Sequence, residues 1–144
     1  MERRLSKEEV PTFVLAGNAT ITIESGTSGR HFTYRIKRYE DKDVYFVHLL
    51  RGPNNEDDYS YVGAYYPDRS WFHVAKMWQG IRKDMYPPSV RAIQFLFDTL
   101  YNINDNLHVY HEGKCGRCGR KLTTPESILL GYGPECAALV GEKL

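Results

Sequence analysis

Three cysteines near the end of the chain have the spacing of a metal site. Cys115 and Cys118 form a C-x2-C pair, and Cys136 follows downstream. Two thiolates separated by two residues can point at one centre and a third can close on it, so the predicted chemistry is zinc binding. These are the only 3 cysteines of the chain, and an odd number cannot all pair in disulfides. Metal binding in a reducing compartment is therefore favoured over cross-linking.

His111 is the predicted fourth ligand. A structural zinc ion takes four ligands in a tetrahedron, and the cysteines supply only 3. His111 precedes Cys115 by a Glu-Gly-Lys bridge that is short and flexible enough to fold the imidazole back toward the thiolates. The alternatives are His108, a water molecule or a remote side chain. A closed site of three cysteines and one histidine is typical of structural zinc.

Turn residues around the cysteines predict the elements that hold them. Gly119 follows the second cysteine and lets the backbone fold under the metal. The run Gly-Pro-Glu-Cys that ends at Cys136 predicts a helix start, with Pro134 at the first helical position. Cys136 would then lie in the first turn, where the helix dipole favours a thiolate. A knuckle, a loose hairpin and a helix that carries a ligand form a treble-clef-like zinc module, expected over residues 107–144.

Four basic residues surround the C-x2-C pair: Lys114, Arg117, Arg120 and Lys121, with no acidic residue at positions 114–121. Small zinc modules present such residues to phosphates, which position a protein on nucleic acid without reading its sequence. The sequence therefore predicts a nucleic-acid-binding patch at these positions. The alternative is a solvated knuckle whose positive charge offsets the negative charge of a zinc centre with three thiolates.

Two motifs of this segment carry a family resemblance. They are Cys-Gly-Arg-Cys-Gly-Arg-Lys-Leu-Thr-Thr-Pro-Glu-Ser-Ile, which begins at Cys115, and Gly-Tyr-Gly-Pro-Glu-Cys, which ends at Cys136. Both resemble the cysteine module of an uncharacterised family in bacteriophage and prophage genomes, and the similarity extends to residues 13–20, 32–35, 52–63 and 89–92. A His-Glu-Gly before the first cysteine is common in that family, which supports His111 as a ligand. The resemblance implies a phage-like origin and a zinc module, but no reaction.

The first 106 residues predict an α+β body behind a charged leader at residues 1–10. Strands are predicted at 19–25, 31–38, 44–50, 59–66 and 71–76, with a helix at 74–81 as an alternative to the last. Ser89 is a predicted N-cap, because Val90, Ile93, Phe97 and Leu100 follow at helical spacing. The predicted fold is an antiparallel sheet of about five strands with one packed helix, followed by the treble-clef-like zinc module. The predicted domains are residues 1–106 and 107–144.

Tyrosines on one predicted strand suggest a second binding surface. Tyr59, Tyr61 and Tyr65 are expected on one face, near Arg35 and Lys37 of another strand. Mixed aromatic and basic residues on a sheet can stack single-stranded bases. Tyrosine also forms strands and packs at the edges of cores, which is the alternative interpretation.

The composition argues against a membrane protein and against binding of nucleic acid through the overall charge. The net charge of +1 gives no global attraction to nucleic acid or membranes, so any such binding needs a local patch. The charged N-terminus is not a signal peptide, and no apolar run is long enough to span a bilayer, so a cytoplasmic location and no membrane partner are expected.

The predicted function is a non-enzymatic, zinc-stabilised, phage-type binding protein that binds nucleic acid through the basic knuckle. A first alternative is a protein-binding inhibitor of a host enzyme or defence system. A zinc-dependent hydrolase or deaminase is the weaker alternative, because the deaminase motif has a proline before its C-x-x-C and a glutamate two residues after its histidine. Here Glu112 is adjacent to His111, and the C-x2-C lies in a glycine-rich turn.

Overall fold

The computed structural model describes residues 3–39, 41–54 and 57–143. Its strands are β1 (Arg3–Leu5), β2 (Asn18–Ser25), β3 (His31–Arg38), β4 (Tyr45–Leu50), β5 (Tyr59–Tyr66), β6 (Trp71–Val74) and β7 (Leu107–His111). Its helices are α1 (Val10–Val14), α2 (Pro88–Asp98), α3 (Pro125–Leu130) and α4 (Pro134–Lys143). Short 3-10 turns lie at Pro67–Arg69, Lys76–Trp78 and Lys83–Met85. The strands form one antiparallel sheet in the order β1-β7-β2-β3-β4-β5-β6.

Alternation along the strands separates a core face of the sheet from an outer face. Ile21 of β2 pairs with Tyr34 of β3, and Ile36 of β3 pairs with Val47 of β4. These four side chains are fully buried on the core face. The intervening residues of the same strands, such as Arg35, point to the other side, which we call the outer face.

Helices α1 and α2 cover the core face. Apolar side chains of both helices join the buried residues of the strands in one cluster. The ring of Phe97 on α2 stacks on Tyr65, with 4.4 Å between centroids, and on Phe72, with 5.2 Å between centroids. The hydroxyl of Tyr34 donates a hydrogen bond to the carbonyl oxygen of Ser89 at 2.5 Å, which ties the start of α2 to the middle of the sheet.

The architecture agrees with the predicted α+β class but not with the predicted element counts. The described part of the chain contains seven strands instead of about five, and it adds the helices α1 and α3 to the two predicted ones, which correspond to α2 and α4. Strand β1 lies in the predicted leader, where Leu5 pairs with Val109 and contributes a single buried side chain. A three-residue strand has too short a pattern to be recognised in a charged sequence. Residues 71–74 form the predicted strand, and the helix considered for 74–81 is a 3-10 turn at Lys76–Trp78.

The start of α2 and the position of β7 also differ from the predictions. The N-cap position of α2 is Pro87, with Pro88 in the first turn, so Ser89 is already helical. Strand β7 lies between β1 and β2 and pairs with both. The predicted boundary at 106/107 therefore separates from the body a strand that is part of its sheet, and the C-terminal segment outside the sheet is residues 112–143.

A bulge explains why the predicted tyrosine face is wrong in part. Across β4 and β5, Tyr61 pairs with His48, whereas Gly63 pairs with Val47, and the register shifts between these pairs. The extra residue on β5 inverts the alternation. Tyr59 and Tyr61 lie on the outer face, but Tyr65 lies in the core against Phe97.

No helix in the described ranges is both long and apolar enough to cross a bilayer.

Candidate metal centre

The first two cysteines lie at the tip of a tight hairpin, residues 114–121, which we call the knuckle. Lys114 and Lys121 face each other in an isolated antiparallel bridge. Inside it, the Cys115 N–H donates to Arg120 O, and the Gly119 N–H donates to Cys115 O, both at 2.8 Å. Gly119 has φ +80°, a left-handed conformation that glycine adopts without strain. This geometry turns both sulfurs of the C-x2-C pair toward one point.

The third cysteine arrives from a helix, as predicted. Cys136 lies in the first turn of α4, whose first residue is Pro134. The Sγ atoms of Cys115, Cys118 and Cys136 all lie within 4.8 Å of one another. In a tetrahedron with Zn–S distances of about 2.3 Å, sulfur atoms are about 3.8 Å apart. The separations of at most 4.8 Å are therefore compatible with three sulfurs around one zinc ion.

The pKa values of the Cys115 and Cys136 thiols are shifted in opposite directions by their surroundings. Burial raises the pKa of the Cys115 thiol, but N–H groups of Cys118, Gly133 and Arg117 donate to its sulfur and bring the pKa below its ordinary value. The Cys118 N–H lies 3.4 Å from this sulfur. Burial also raises the pKa of Cys136, and the two neighbouring sulfurs raise it further. Three thiolates in one place need compensating positive charge.

Arg117 supplies part of that charge. Its Nη1 donates to the Sγ of Cys136 at 3.6 Å, and this contact lowers the pKa of Cys136 against the effects that raise it. The sequence predicts Arg117 as a contact to nucleic acid, but the structure directs its guanidinium at the metal group.

His111 is not brought into the cysteine group. Its side chain is fully buried at the end of β7. Its Nε2–H donates to Ile128 O at 2.5 Å, and its Nδ1 accepts from the Gly113 N–H at 3.0 Å. Metal coordination would require the ring to give up one of these bonds, so His111 as the fourth ligand stays a prediction. The alternative, His108, also lies outside the group, with its Nδ1 3.1 Å from Glu24 Oε1.

The segment between the knuckle and α4 is helical. Residues 125–130 form α3, with Thr124 as N-cap accepting a bond from the Ser127 N–H, where the sequence predicts a loose hairpin. Gly131 ends this helix at φ +81°, and its carbonyl accepts from the Gly116 N–H at 3.0 Å. The turn after α3 therefore supports the back of the knuckle.

Phe13 of α1 packs between the C-terminal segment and the body, a role that the sequence pattern does not reveal. Its ring lies 5.7 Å from the His111 ring and 5.6 Å from the Tyr132 ring. A Cβ added at Gly116 would lie 2.7 Å from Phe13 Cε2, so the knuckle backbone lies directly against this ring. The Asn18 N–H also donates to Gly116 O at 2.9 Å. The sequence feature that could have indicated this contact is Gly116, because a glycine inside the C-x2-C pair allows another group to pack closely against the backbone.

The four basic residues of the predicted patch lie on different sides of the knuckle. Lys114 and Lys121 line a groove of about 500 Å³ with Thr33 and Tyr59 of the sheet. Arg117 lines a different depression with Lys37 and Tyr39. Arg120 is exposed at the knuckle surface. The four residues therefore do not form one continuous patch, but each side of the knuckle leads onto the outer face of the sheet.

A buried polar contact closes the other end of the groove. The Thr22 hydroxyl donates to Glu112 Oε1, and Thr22 Oγ1 lies 2.7 Å from Thr33 Oγ1. Thr22 is 1% exposed, although it lies on the polar side of β2. Glu112, the first residue of the C-terminal segment, therefore contacts this side of β2.

Comparison with other proteins gives information for this segment alone. Neither the comparison with curated proteins nor the comparison with solved structures found a match. Residues 105–141 match a family of unknown function, DUF6011. The matched residues comprise all of β7, the knuckle, α3 and most of α4, so the similarity covers the cysteine group and its supports.

Proposed function

We propose that the cysteine group holds one zinc ion and that the knuckle it organises binds nucleic acid through basic side chains. Cys115, Cys118 and Cys136 would hold the metal, which supplies a cross-link between the knuckle and α4. We assign the ligand arrangement, a knuckle plus the first turn of a helix, to the treble-clef-like group. The proposed role of this centre is structural, with His111 or a water molecule as the fourth ligand. The proposed binding surface lies beside it.

The donor set supports zinc over harder metals. Thiolates are soft ligands that select zinc, copper(I) and iron–sulfur clusters, whereas magnesium and calcium take oxygen ligands. The three Sγ atoms all lie within 4.8 Å of one another, and the Cys118 N–H donates to the sulfur of Cys115. Arg117 beside Cys136 offsets the negative charge that three thiolates bring.

The groove between the knuckle and the sheet is the observation that carries nucleic-acid binding. Lys114 and Lys121 stand opposite each other across an antiparallel bridge and both line this groove. A phosphate that enters this groove would therefore meet two lysine side chains, with Glu112 as the carboxylate of the same lining. Arg120 adds a third positive charge next to Lys121 on the exposed surface.

Fluorescence anisotropy with labelled oligonucleotides of about 15 nucleotides tests the proposal. The zinc-loaded chain is titrated into single-stranded DNA, single-stranded RNA and duplex DNA at two salt concentrations. Arg120→Glu/Lys121→Glu should weaken binding roughly tenfold and reduce the slope of log K against log salt by roughly 1.5, because two phosphate contacts are lost.

Lys7→Glu/Arg91→Glu is the matched control, since it changes the net charge equally. Lys7 precedes α1 and Arg91 lies on α2, and both helices cover the core face. The control should bind like the parent chain. If the two double variants weaken binding equally, the attraction is a property of the net charge rather than of the knuckle. If the parent chain does not bind at low salt, the proposal is wrong.

A further inference from the structure

The outer face of β3 to β6 is a broad aromatic surface on the side of the sheet opposite α1 and α2. Tyr61 is 45% exposed and Trp71 is 41% exposed, although both belong to regular strands. Tyr39, which follows β3, is 49% exposed and packs edge-on against Phe46 of β4, with 5.1 Å between ring centroids. Large exposed apolar surface on one face of a sheet marks an interaction site.

The rings on this face are held in defined orientations by each other. Trp71 stacks on His73 with 4.4 Å between centroids and an angle of 18°, and on Tyr66 with 5.5 Å and 25°. Tyr61 lies edge-on to His48 at 5.6 Å. Burial lowers the pKa of His48, and the charge of Arg35 lowers it further, which favours the neutral ring. A ligand would therefore meet a preformed set of flat surfaces.

Two arginine guanidinium groups lie over these rings. The Arg35 guanidinium lies 4.4 Å from the centroid of Tyr59. The Arg69 guanidinium lies 5.4 Å from the centroid of Tyr66 and 5.8 Å from that of Trp71. None of the four strands β3, β4, β5 and β6 contains an aspartate or a glutamate. The face therefore carries positive charge interleaved with aromatic rings.

This combination fits one class of partner. Single-stranded nucleic acid offers flat bases that stack on aromatic side chains and phosphates that pair with neighbouring cations. Duplex DNA keeps its bases stacked on each other and cannot use such rings. The groove lined by Lys114, Lys121 and Tyr59 lies between this face and the knuckle.

We propose that the outer face of β3 to β6 binds single-stranded nucleic acid by stacking bases on Tyr61 and Trp71, with Arg35 and Arg69 at the phosphates. This inference rests on the proposed function in taking nucleic acid as the ligand and adds that the ligand is single-stranded. It uses different residues, so the two can fail separately. The bound nucleic acid would cross the sheet from β6 over β5 to β4, and it would leave along the groove at the knuckle.

Aromatic truncations on the outer face test the inference in the same anisotropy assay. Tyr61→Ala and Trp71→Ala should each weaken binding to single strands by about tenfold or more, because one stacked base is lost, and leave duplex binding unchanged. Tyr61→Phe and Trp71→Phe should retain binding. Tyr101→Ala is the matched control, since Tyr101 is 73% exposed and follows α2.

The outcomes separate the two proposals. Weakened binding to single strands in Tyr61→Ala and Trp71→Ala, but not in Tyr101→Ala, supports stacking on the outer face. Parent-like binding of both truncations to single strands overturns this inference and leaves the knuckle proposal standing. Loss of binding in the truncations together with unchanged binding in Arg120→Glu/Lys121→Glu overturns the knuckle proposal alone. If the parent chain binds duplex DNA but no single strand, this inference alone is wrong. If it binds neither single strands nor duplex DNA, both proposals are wrong, and the face is left for a protein partner.

Discussion

At the scale of single residues, the chemistry of the C-terminal segment depends on which side chains face the sulfurs. The structure brings Cys115, Cys118 and Cys136 together and adds Arg117, whose guanidinium contacts Cys136. It holds His111 in two hydrogen bonds to protein groups instead, although the residue lies shortly before the knuckle. In this structure His111 therefore supports the backbone between β7 and the knuckle, while its role as the fourth ligand stays a prediction.

The role of His111 leads to a prediction for His111→Gln. The substitution removes a ring that bridges Ile128 O and the Gly113 N–H. Leaving a buried polar group without its partner costs about 1–3 kcal/mol, so the free energy of unfolding should fall by that amount. The variant should still bind one zinc ion, because the cysteines are untouched. Metal analysis, the absorption spectrum of the cobalt form and denaturant unfolding measure these properties.

Cys118→Ser provides the comparison for His111→Gln. Cys118 is exposed, so its substitution removes a sulfur ligand with little change in packing. This variant should lose the metal. If His111→Gln loses zinc to the same extent as Cys118→Ser, His111 is the fourth ligand that the sequence predicts, and its hydrogen bonds in this structure do not describe the loaded state.

At the scale of elements, the knuckle is positioned by the close approach of its backbone to α1. Gly116 lies against the buried ring of Phe13, and its carbonyl accepts from the Asn18 N–H at the start of β2. The turn after α3 contributes Gly131, where a Cβ would lie 2.9 Å from the same ring. Two glycines therefore allow the knuckle and α3 to approach one phenylalanine from two directions.

This approach predicts the effect of Gly116→Ala. The added Cβ would lie 2.7 Å from Phe13 Cε2, and the buried ring has little room to move. Overpacking of this kind costs about 1–3 kcal/mol, which urea unfolding can measure. Gly133→Ala is the control within the same segment, because no atom lies within 4 Å of the Cβ it would add. Equal stabilities of the two variants would contradict the packing argument.

Sequence patterns anticipated the elements whose periodicity is long and regular. The alternation at residues 31–38 and the apolar stripe of Val90, Ile93 and Phe97 both correspond to observed elements, β3 and α2. The clustering of the cysteines was also predictable, because the knuckle turn and the Pro134 helix start are local features. The bulge on β5 was not, since it depends on pairing with β4, and Tyr65 therefore faces the core. The short strands β1 and β7 depend on long-range pairing, of β1 with β7 and of β7 with β2, which a local pattern does not show.

At the scale of the whole molecule, the C-terminal segment is attached to the sheet rather than linked to it by a flexible connection. Strand β7 pairs with β1 and β2 immediately before the knuckle begins. Tyr132 packs both against the main core and against the small cluster of Cys115, Leu122 and Cys136. Because of this shared packing, the stability of the segment and that of the body should be coupled, and the proposed binding surface extends across both.

Removal of zinc tests that coupling. The small cluster around Cys115, Leu122 and Cys136 contains few apolar side chains, so the metal should supply much of the stability of residues 112–143. Chelation should make the amides of the knuckle, α3 and α4 exchange rapidly with solvent, while those of β2 to β5 stay protected. The body would lose the packing of Tyr132 on Phe13, and a loss of about 2–3 kcal/mol should lower its Tm by roughly 5–10 °C. Hydrogen exchange and calorimetry on the full chain, before and after chelation, measure both effects. Unchanged exchange in the knuckle after complete metal removal would show that the segment folds without zinc and would contradict the proposed structural role of the cysteine group.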